Sequence, residues 1–248
     1  NATFGITLEA RIIPEIPFTV TELERARDLG QFLVLRVPRA ADGDVLTMKK
    51  MNEVAGPKLA TASKGKVLYD TDWYKNEIFY TTGSSRAGWA LSTKEVVPAS
   101  TSKNYLEQTE SLIEYIKAQV FQNQELPADY KAAVEEFETY YQLTFAGQTK
   151  AQIKTLLQSA DWPRYAQGFS DLKINQLARQ APNEVLYDLL MYLEKNGRLL
   201  ENRYTWTNRR SSVGRLVGVG FFGSDGANVN DWGPDGAHPD VGVSFSRS

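Results

Sequence analysis

At 248 residues, with 42% hydrophobic and 23% charged residues, the chain has the size and composition of a soluble globular protein with a sizeable core. The net charge of −2 gives no excess of basic residues that would favour binding to nucleic acid. No run of apolar residues approaches the ~18 residues that a membrane-spanning helix needs. The absence of cysteine excludes disulfides, thiolate nucleophiles and cysteine-ligated metals, and the single histidine, His238, leaves little for serine–histidine catalysis or a zinc site.

The N-terminal part alternates short strand and helix signals. Thr3 to Ile13 is rich in apolar and β-branched residues and predicts a first strand, which the following prolines end. Thr21 and Glu24 form a capping-box pattern for a short helix, and Gly30 suits the left-handed residue after it. Residues 31–37 are a nearly continuous apolar run with the length of a buried strand.

The next segment mixes one helix with aromatic-rich sequence. A second short helix is predicted over Leu46 to Val54, where apolar residues recur roughly at helical spacing. Short strands or buried loops are predicted at 67–69, 78–80 and 89–91.

The sequence changes character after Pro98. Apolar residues recur at helical spacing over 105–120, and Pro127 fits the first position of a helix that includes Tyr130 to Tyr141. Further helices are predicted over 148–159, over 171–180 and from Pro182 to Gly197. About 100 residues of helix, 101–197, therefore separate two β-rich parts.

The C-terminal part predicts four strands, at 204–207, 216–219, 227–229 and 241–245. Glycine-rich turns join the last three strands. The side chains expected to face the core are Val217, Val219, Val229, Val243 and Phe245. The residues between them would lie on one exposed surface, where side chains can vary at little cost in stability.

The last 34 residues, Arg215 to Ser248, differ in composition from the rest of the chain. Lys, Glu, Gln and Met together number 46, and none of them occurs after Glu201. Framework segments such as 216–217 and 241–247 are separated by single residues of unrelated chemistry. This pattern indicates a fixed backbone that carries freely chosen side chains.

One genetic process produces such a pattern. A reverse transcriptase that misreads adenine converts a template AAC or AAT codon into any codon ending in C or T. Those codons encode no Lys, Glu, Gln, Met or Trp, and the single residues of the tail are reachable from Asn in this way. Residues 202–216 also lack the excluded types and are assigned to the framework.

Residues 202–248 resemble the variable region of the target proteins of diversity-generating retroelements, whose templates are rich in Asn between the same framework residues. The upstream segments QFLVLRV (31–37), LTMKKMNE (46–53) and KGKVLYDTDWYKNE (64–77) resemble the front part of such proteins from small uncultured prokaryotes. The resemblance implies a C-type lectin-like fold of the variety shared with formylglycine-generating enzymes. It does not imply their activity, because formylglycine formation depends on cysteine chemistry.

The codon pattern and the resemblance predict a ligand-binding surface of variable side chains. These residues are Gly218, Phe221, Gly223, Asp225, Asn228, Asn230, Asp231, Gly233, Gly236, His238, Pro239 and Asp240. Trp232 cannot arise from an Asn codon by adenine changes, so we expect it to be invariant framework that offers a flat apolar surface. We expect Phe221 to be an exposed anchor for the ligand and Phe222 to face the core.

Other chemistries remain as alternatives with less support. The segment 233–235 is similar to the calcium motif of sugar-binding lectins, but its leading glycine supplies no side-chain oxygen, and no metal is predicted. Carboxylates at 70–77 could serve a hydrolase, although a structural loop that supports the binding face is the preferred interpretation. Arg209 and Arg210 could grip an anion, with a framework salt-bridging role preferred.

We therefore predict an α+β protein in which residues 1–100 and 198–248 form the lectin-like body, with a variable region at about 215–242 and a helical insertion or subdomain at 101–197. Its predicted function is non-enzymatic binding of varying ligands, expected to be proteins or cell-surface molecules, without a cofactor and without nucleic acid. The reverse transcriptase would be linked genetically, not physically. No signal peptide is visible, the lack of cysteine is compatible with the cytoplasm, and a leader removed before Asn1 stays open.

Overall fold

The structure, a computed structural model, describes residues 2–6 and 13–248 and has the predicted mixed α+β character. The helices are Val20–Asp28 (α1), Met48–Thr61 (α2), Ile78–Thr81 (α3), Tyr105–Tyr115 (α4), Ala128–Phe145 (α5), Lys150–Leu157 (α6), Trp162–Asp171 (α7), Lys173–Ala178 (α8) and Pro182–Lys195 (α9). The strands are Gln31–Arg36 (β1), Gly88–Thr93 (β2), Tyr204–Arg210 (β3), Leu216–Gly223 (β4), Gly226–Trp232 (β5), Val241–Gly242 (β6) and Ser246–Arg247 (β7). Within the described ranges, none of the helices combines the length and the apolar character that crossing a membrane requires.

The first sheet, with strand order β1-β2-β7, joins the two ends of the chain. β1 and β2 pair antiparallel from Gln31↔Thr93 to Arg36↔Gly88, and β2 pairs with β7 through Leu91↔Arg247 and Ser92↔Ser246. The C-terminal residues therefore share a sheet with the N-terminal part, which is the arrangement that a body built from both ends requires.

The second sheet has the order β5-β4-β3-β6, with β6 parallel to β3 and the other pairs antiparallel. A single parallel bridge, Leu68↔Ala227, adds the segment around Leu68 to the outer edge of β5. The five side chains predicted to face the core are all buried, which confirms that expectation. Val243 and Phe245 follow the two-residue strand β6, so the strand predicted at 241–245 is shorter than expected.

Two hydrophobic clusters form the core, and the segment 101–197 is divided between them. One cluster joins α2 and α9 to the inner face of β4 and β5. The other joins α4 to α8 to Trp206, Leu216 and the end of the chain. Helix α9 therefore packs with the N-terminal part, whereas the preceding helices pack against the opposite side of β3 and β4.

Several predicted elements differ from the structure. The capping box is formed by Thr19 and Glu22, two residues before the predicted pair, because Thr19 is the residue with extended backbone that the helix follows. The apolar run Ile78–Thr81 is a helix rather than a strand, since a short apolar run does not by itself separate the two. Thr3 lies in the 3-10 turn Ala2–Phe4, and residues 7–12 of the predicted first strand lie outside the described residues.

The lengths of several helices also differ from the prediction. Helix α2 continues through Pro57 to Thr61, and α4 continues into a π-helical segment, Ile116–Val120. Helix α7 was not predicted, and the predicted helix 171–180 is the shorter α8. Gly30 and Gly197 both have the positive φ expected after a helix, which confirms them as helix ends.

A buried ion cluster around Arg36 ties β1, β2, β7 and α9 together. The Arg36 side chain is 1% exposed and donates to both carboxylate oxygens of Asp188, with Nε–Oδ1 and Nη2–Oδ2 distances of 3.0 and 2.6 Å. Arg36 Nη2 also donates to Ser92 Oγ and Ser246 Oγ, each at 3.0 Å. Burial raises the pKa of Glu184, whose Oε1 lies 3.6 Å from Arg36 Nη1, but the nearby arginines outweigh this effect and lower it overall.

Replacing Arg36 should destabilise the fold strongly. Arg36→Met leaves two carboxylates buried without this cation, and the expected loss in the free energy of unfolding is about 3–5 kcal/mol, measured by urea unfolding. Arg27→Met is the matched control, because its ion pair with Asp28 has side chains 76% and 61% exposed. That change should cost no more than about 1 kcal/mol. Similar losses in both variants would contradict the role assigned to Arg36.

Candidate ligand-binding face

One face of the second sheet brings residues of three strands into two rows. The rows are Tyr204–Gly220–Asn228 and Trp206–Gly218–Asn230, each crossing β3, β4 and β5. Because side chains alternate along a strand, both rows point to the same side of the sheet. The members on β4 are glycines: the rings of Trp206 and Trp232 approach each other above Gly218, and the backbone of Arg203 and Tyr204 lies close to Gly220.

The rings on this face form a continuous aromatic cluster. Tyr204 lies at its centre, with ring centroids 4.7 Å from Phe221 and 5.1 Å from Trp232. Trp232 also contacts Trp206, at 6.3 Å, and His238, at 5.8 Å. Trp206 is fully buried, whereas Tyr204, Phe221 and Trp232 are half-buried and His238 is exposed. We call the accessible part of this surface the amide–aromatic face; it comprises Tyr204, Phe221, Asn228, Asn230, Trp232 and His238.

A β-bulge separates the roles of the two adjacent phenylalanines. The pairing of β4 with β5 shifts register between Gly220 and Gly223, and Phe221 adopts a left-handed φ of 45°. The bulge turns the Phe221 ring toward Tyr204, while Phe222 is completely buried in the core. The core position predicted for Phe222 is confirmed, and Phe221 is half-buried rather than fully exposed because it packs on Tyr204.

The remaining predicted site residues surround this face at two places. Gly223 and Asp225 lie at the β4–β5 turn. Gly233, Gly236, His238, Pro239 and Asp240 belong to the connection from β5 to β6, where Asp240 accepts a hydrogen bond from Tyr204 N to its backbone oxygen at 2.8 Å. This connection continues from Trp232, so its residues border the amide–aromatic face.

Two of the predicted site residues do not belong to the amide–aromatic face. Gly218 is buried, and a Cβ atom there would lie 2.5 Å from the ring of Trp232 and 3.4 Å from that of Trp206. Asp231 pairs with Val217, so its side chain points to the other side of the sheet, where Ser211 Oγ donates to its carboxylate at 2.6 Å. The expectation that both residues lie on the shared exposed face is therefore wrong: strand alternation turns the Asp231 side chain, which is 14% exposed, to the other side, and Trp232 fills the space above Gly218.

A loop from the N-terminal part covers the outer edge of β5. Tyr69 N donates to Ala227 O at 3.0 Å, and Trp73 Nε1 donates to Val229 O at 3.2 Å. We call residues 67–73 the rim; its Tyr69 and Trp73 are 54% and 39% exposed. These contacts agree with the preferred interpretation of this segment as support for the binding face.

The helical segment braces the connection that carries His238. Ser102 N donates to His238 O at 2.9 Å, and Gln158 Nε2 donates to the Asp235 carboxylate at 3.1 Å. Arg209 and Arg210 also bond to this segment, through Gln176 Oε1 at 2.9 Å and Ser170 Oγ at 3.0 Å. The two arginines therefore hold framework positions, with neutral partners in place of the predicted salt bridges.

The electrostatics of the face centre on the hydroxyl of Tyr204. Burial raises the pKa of Tyr204, and the negative charges of Asp240 and Asp70 raise it further, while a side-chain hydrogen bond with Asn230 opposes them. The sequence did not single out Tyr204; its alternation with Trp206 on a predicted strand was the available signal. Among residues 2–6 and 13–248, no group of three or more His, Cys, Asp or Glu side chains is placed to hold a metal ion.

Comparison with protein-family models, curated proteins and solved structures found no match to this chain. The function is therefore inferred from the geometry of the face.

Introducing a side chain should distinguish two glycines that were both predicted to vary. Gly218→Asn must displace the ring of Trp232, and we expect a loss of about 1–3 kcal/mol in the free energy of unfolding. Gly223→Asn is the control, since no atom lies within 4 Å of its added Cβ, and its effect should stay within about 0.5 kcal/mol. Thermal unfolding of both variants measures the difference, and equal stability would contradict the assignment of Gly218 to the framework.

The two phenylalanines should respond differently to truncation. Phe222→Ala removes a fully buried ring and should cost about 3–5 kcal/mol. Phe221→Ala loses only its packing on Tyr204, about 0.5–1.5 kcal/mol. Phe221→Asn should be more stable than Phe221→Ala, because asparagine tolerates a positive φ better. Urea unfolding checks all three, and equal losses at positions 221 and 222 would mean that the bulge is misplaced.

Proposed function

We propose that this is a non-enzymatic ligand-binding protein whose amide–aromatic face is diversified by adenine-directed retroelement mutagenesis. The observation that carries the proposal is the grouping of four predicted variable residues around two framework rings. Phe221, Asn228, Asn230 and His238 surround Tyr204 and Trp232. The opposite side of this sheet is core, and the two rings themselves pack at the border of the second hydrophobic cluster. Such a sheet keeps its backbone fixed while the outward side chains change.

The backbone at Phe221 supports an origin from an asparagine codon. Phenylalanine at a φ of 45° is an unfavourable choice, since bulky residues rarely occupy the left-handed region. Asparagine is enriched several-fold there. A template Asn that mutagenesis changed to Phe accounts for this residue, whereas selection for stability alone would favour Asn or Gly.

The chemistry of the face suits a changing set of macromolecular ligands. Its side chains are aromatic rings and amides, the combination that antibody paratopes use for rigid contact area and adaptable hydrogen bonds. We infer that the ligand is a protein or a cell-surface molecule. The alternative, a hydrolase built on the carboxylates of 70–77, has less support, because both carboxylate oxygens of Glu77 accept hydrogen bonds from Ser212, at 2.8 and 2.6 Å.

The proposal includes the C-type lectin-like fold of retroelement target proteins. It is supported by the sheet that joins both ends of the chain and by the short strands that present the tail. In this fold the helices α4 to α8 act as an insertion, which here packs against β3 and braces the connection before β6.

Sequencing the DNA next to the gene tests the proposal. We expect an imperfect repeat of the sequence that encodes the tail, beside a reverse transcriptase gene, with mismatches only at template adenines. In the alignment of the two repeats, the codon for Phe221 should correspond to AAC or AAT in the template. The codon for Gly218 should be identical in both repeats, because no larger side chain fits there. Mismatches spread over other template bases, or no repeat at all, would overturn the retroelement origin.

A further inference from the structure

The part of the surface that lies beside the amide–aromatic face without belonging to the tail is the rim, residues 67–73. The rim is held to β5 by hydrogen bonds to backbone oxygens of Ala227 and Val229, so changes in the side chains of β5 leave it in place. A ligand that extends across β5 therefore meets the same Tyr69 and Asp70. A requirement that the rim places on a ligand is therefore the same for all such ligands, whatever the variable residues are.

The charge on this part of the surface is negative. Asp70 and Asp72 are exposed on the rim, and Asp240 borders the face at Tyr204. Asp70 lies on the rim beyond β5, and Asp240 precedes β6 and accepts from Tyr204 N through its backbone oxygen, so the strand order β5-β4-β3-β6 places the two residues on either side of β3. Their charges also raise the pKa of Tyr204. The guanidinium of Arg203, next to Tyr204, donates to the backbone oxygen of Asn202. That hydrogen bond leaves the positive charge of Arg203 in place, so the excess of negative charge near Tyr204 comes from Asp70, Asp72 and Asp240 against Arg203. Lys66 lies at the far end of the face, beside the β4–β5 turn with Asp225.

Exposed carboxylates beside aromatic rings are a combination that recognises cations. Tyr204 and Trp232 are half-buried, so part of each ring stays accessible to a guanidinium or an ammonium group, and the carboxylates add charge-assisted hydrogen bonds. A polyanion such as nucleic acid would instead be repelled. We propose that the ligands of this face are proteins that present an Arg or Lys side chain to Tyr204, between Asp70 and Asp240. This inference rests on the proposed function. Because the rim is fixed, it imposes the same requirement on every diversified variant.

The test is a selection of random linear peptides displayed on phage. Three proteins are used as bait: the wild type, Asp70→Asn/Asp72→Asn, and the control Glu24→Gln/Glu135→Gln, which removes two exposed charges from α1 and α5. We expect peptides enriched in Arg and Lys on the wild type and the control, and no such enrichment on Asp70→Asn/Asp72→Asn. A chosen peptide should bind that variant about tenfold more weakly, with a smaller dependence on salt.

The outcomes separate this inference from the proposed function. Each selected peptide is titrated against Phe221→Ala and Asn230→Ala as well. The cationic requirement alone is overturned if the peptides bind these two variants more weakly than the wild type but carry no excess of Arg or Lys. It is also overturned if they bind Asp70→Asn/Asp72→Asn with unchanged affinity. Peptides that bind Phe221→Ala and Asn230→Ala as well as the wild type, or a selection that yields no binder, count against the face as a binding surface and hence against both.

Discussion

The buried pairing of Arg36 with Asp188 is the interaction on which the rest of the structure depends. It joins the first strand of the N-terminal sheet to helix α9, and through Ser92 and Ser246 it reaches the neighbouring strands. A buried charge is costly unless it is paired and hydrogen-bonded, so each of these elements must be in place for the others to be stable. The ends of the chain are thereby fixed together, and α9, packed under β4 and β5, supports the sheet that carries the tail.

The amide–aromatic face depends on this support in a second way. Its rings meet above β4 because Gly218 leaves space there, while Gly220 allows the backbone of Arg203 and Tyr204 to approach β4 closely. Its outer edge is covered by the rim rather than left as an open strand. The connection after Trp232 is held by the helical insertion through Ser102 and Gln158. Since hydrogen bonds from three separate parts of the chain hold this surface, the side chains that do not make these bonds can change without changing its shape.

The buried arginine of the insertion follows a different rule from Arg36. Arg179 is fully buried, lies 3.8 Å from the ring centroid of Tyr105, and donates to Asn175 Oδ1 and Thr109 Oγ1. Burial lowers its pKa, and neutral oxygens together with the aromatic ring take the place of a carboxylate. The insertion is thus attached to β3 by hydrogen bonds and ring packing, with Arg179 reaching Trp206 O at 3.5 Å.

The sequence by itself determined the α+β class and the burial of the C-terminal valines, because alternation and helical spacing are local patterns set by the strand and helix repeats. The burial of Phe222 was predicted from its assignment to the framework; strict alternation from Val217 and Val219 would place Phe221 inside, and only the bulge between Gly220 and Gly223 reverses this. It could not determine that Ile78–Thr81 is a helix, since a short apolar run fits both states and only its packing decides. Nor could it distinguish Gly218 from Gly223, which are the same residue in similar surroundings along the chain. Only the tertiary structure places Trp232 over one of them and open space over the other, and it alone brings Tyr204 and the rim beside the tail, because these contacts join residues that are far apart in sequence.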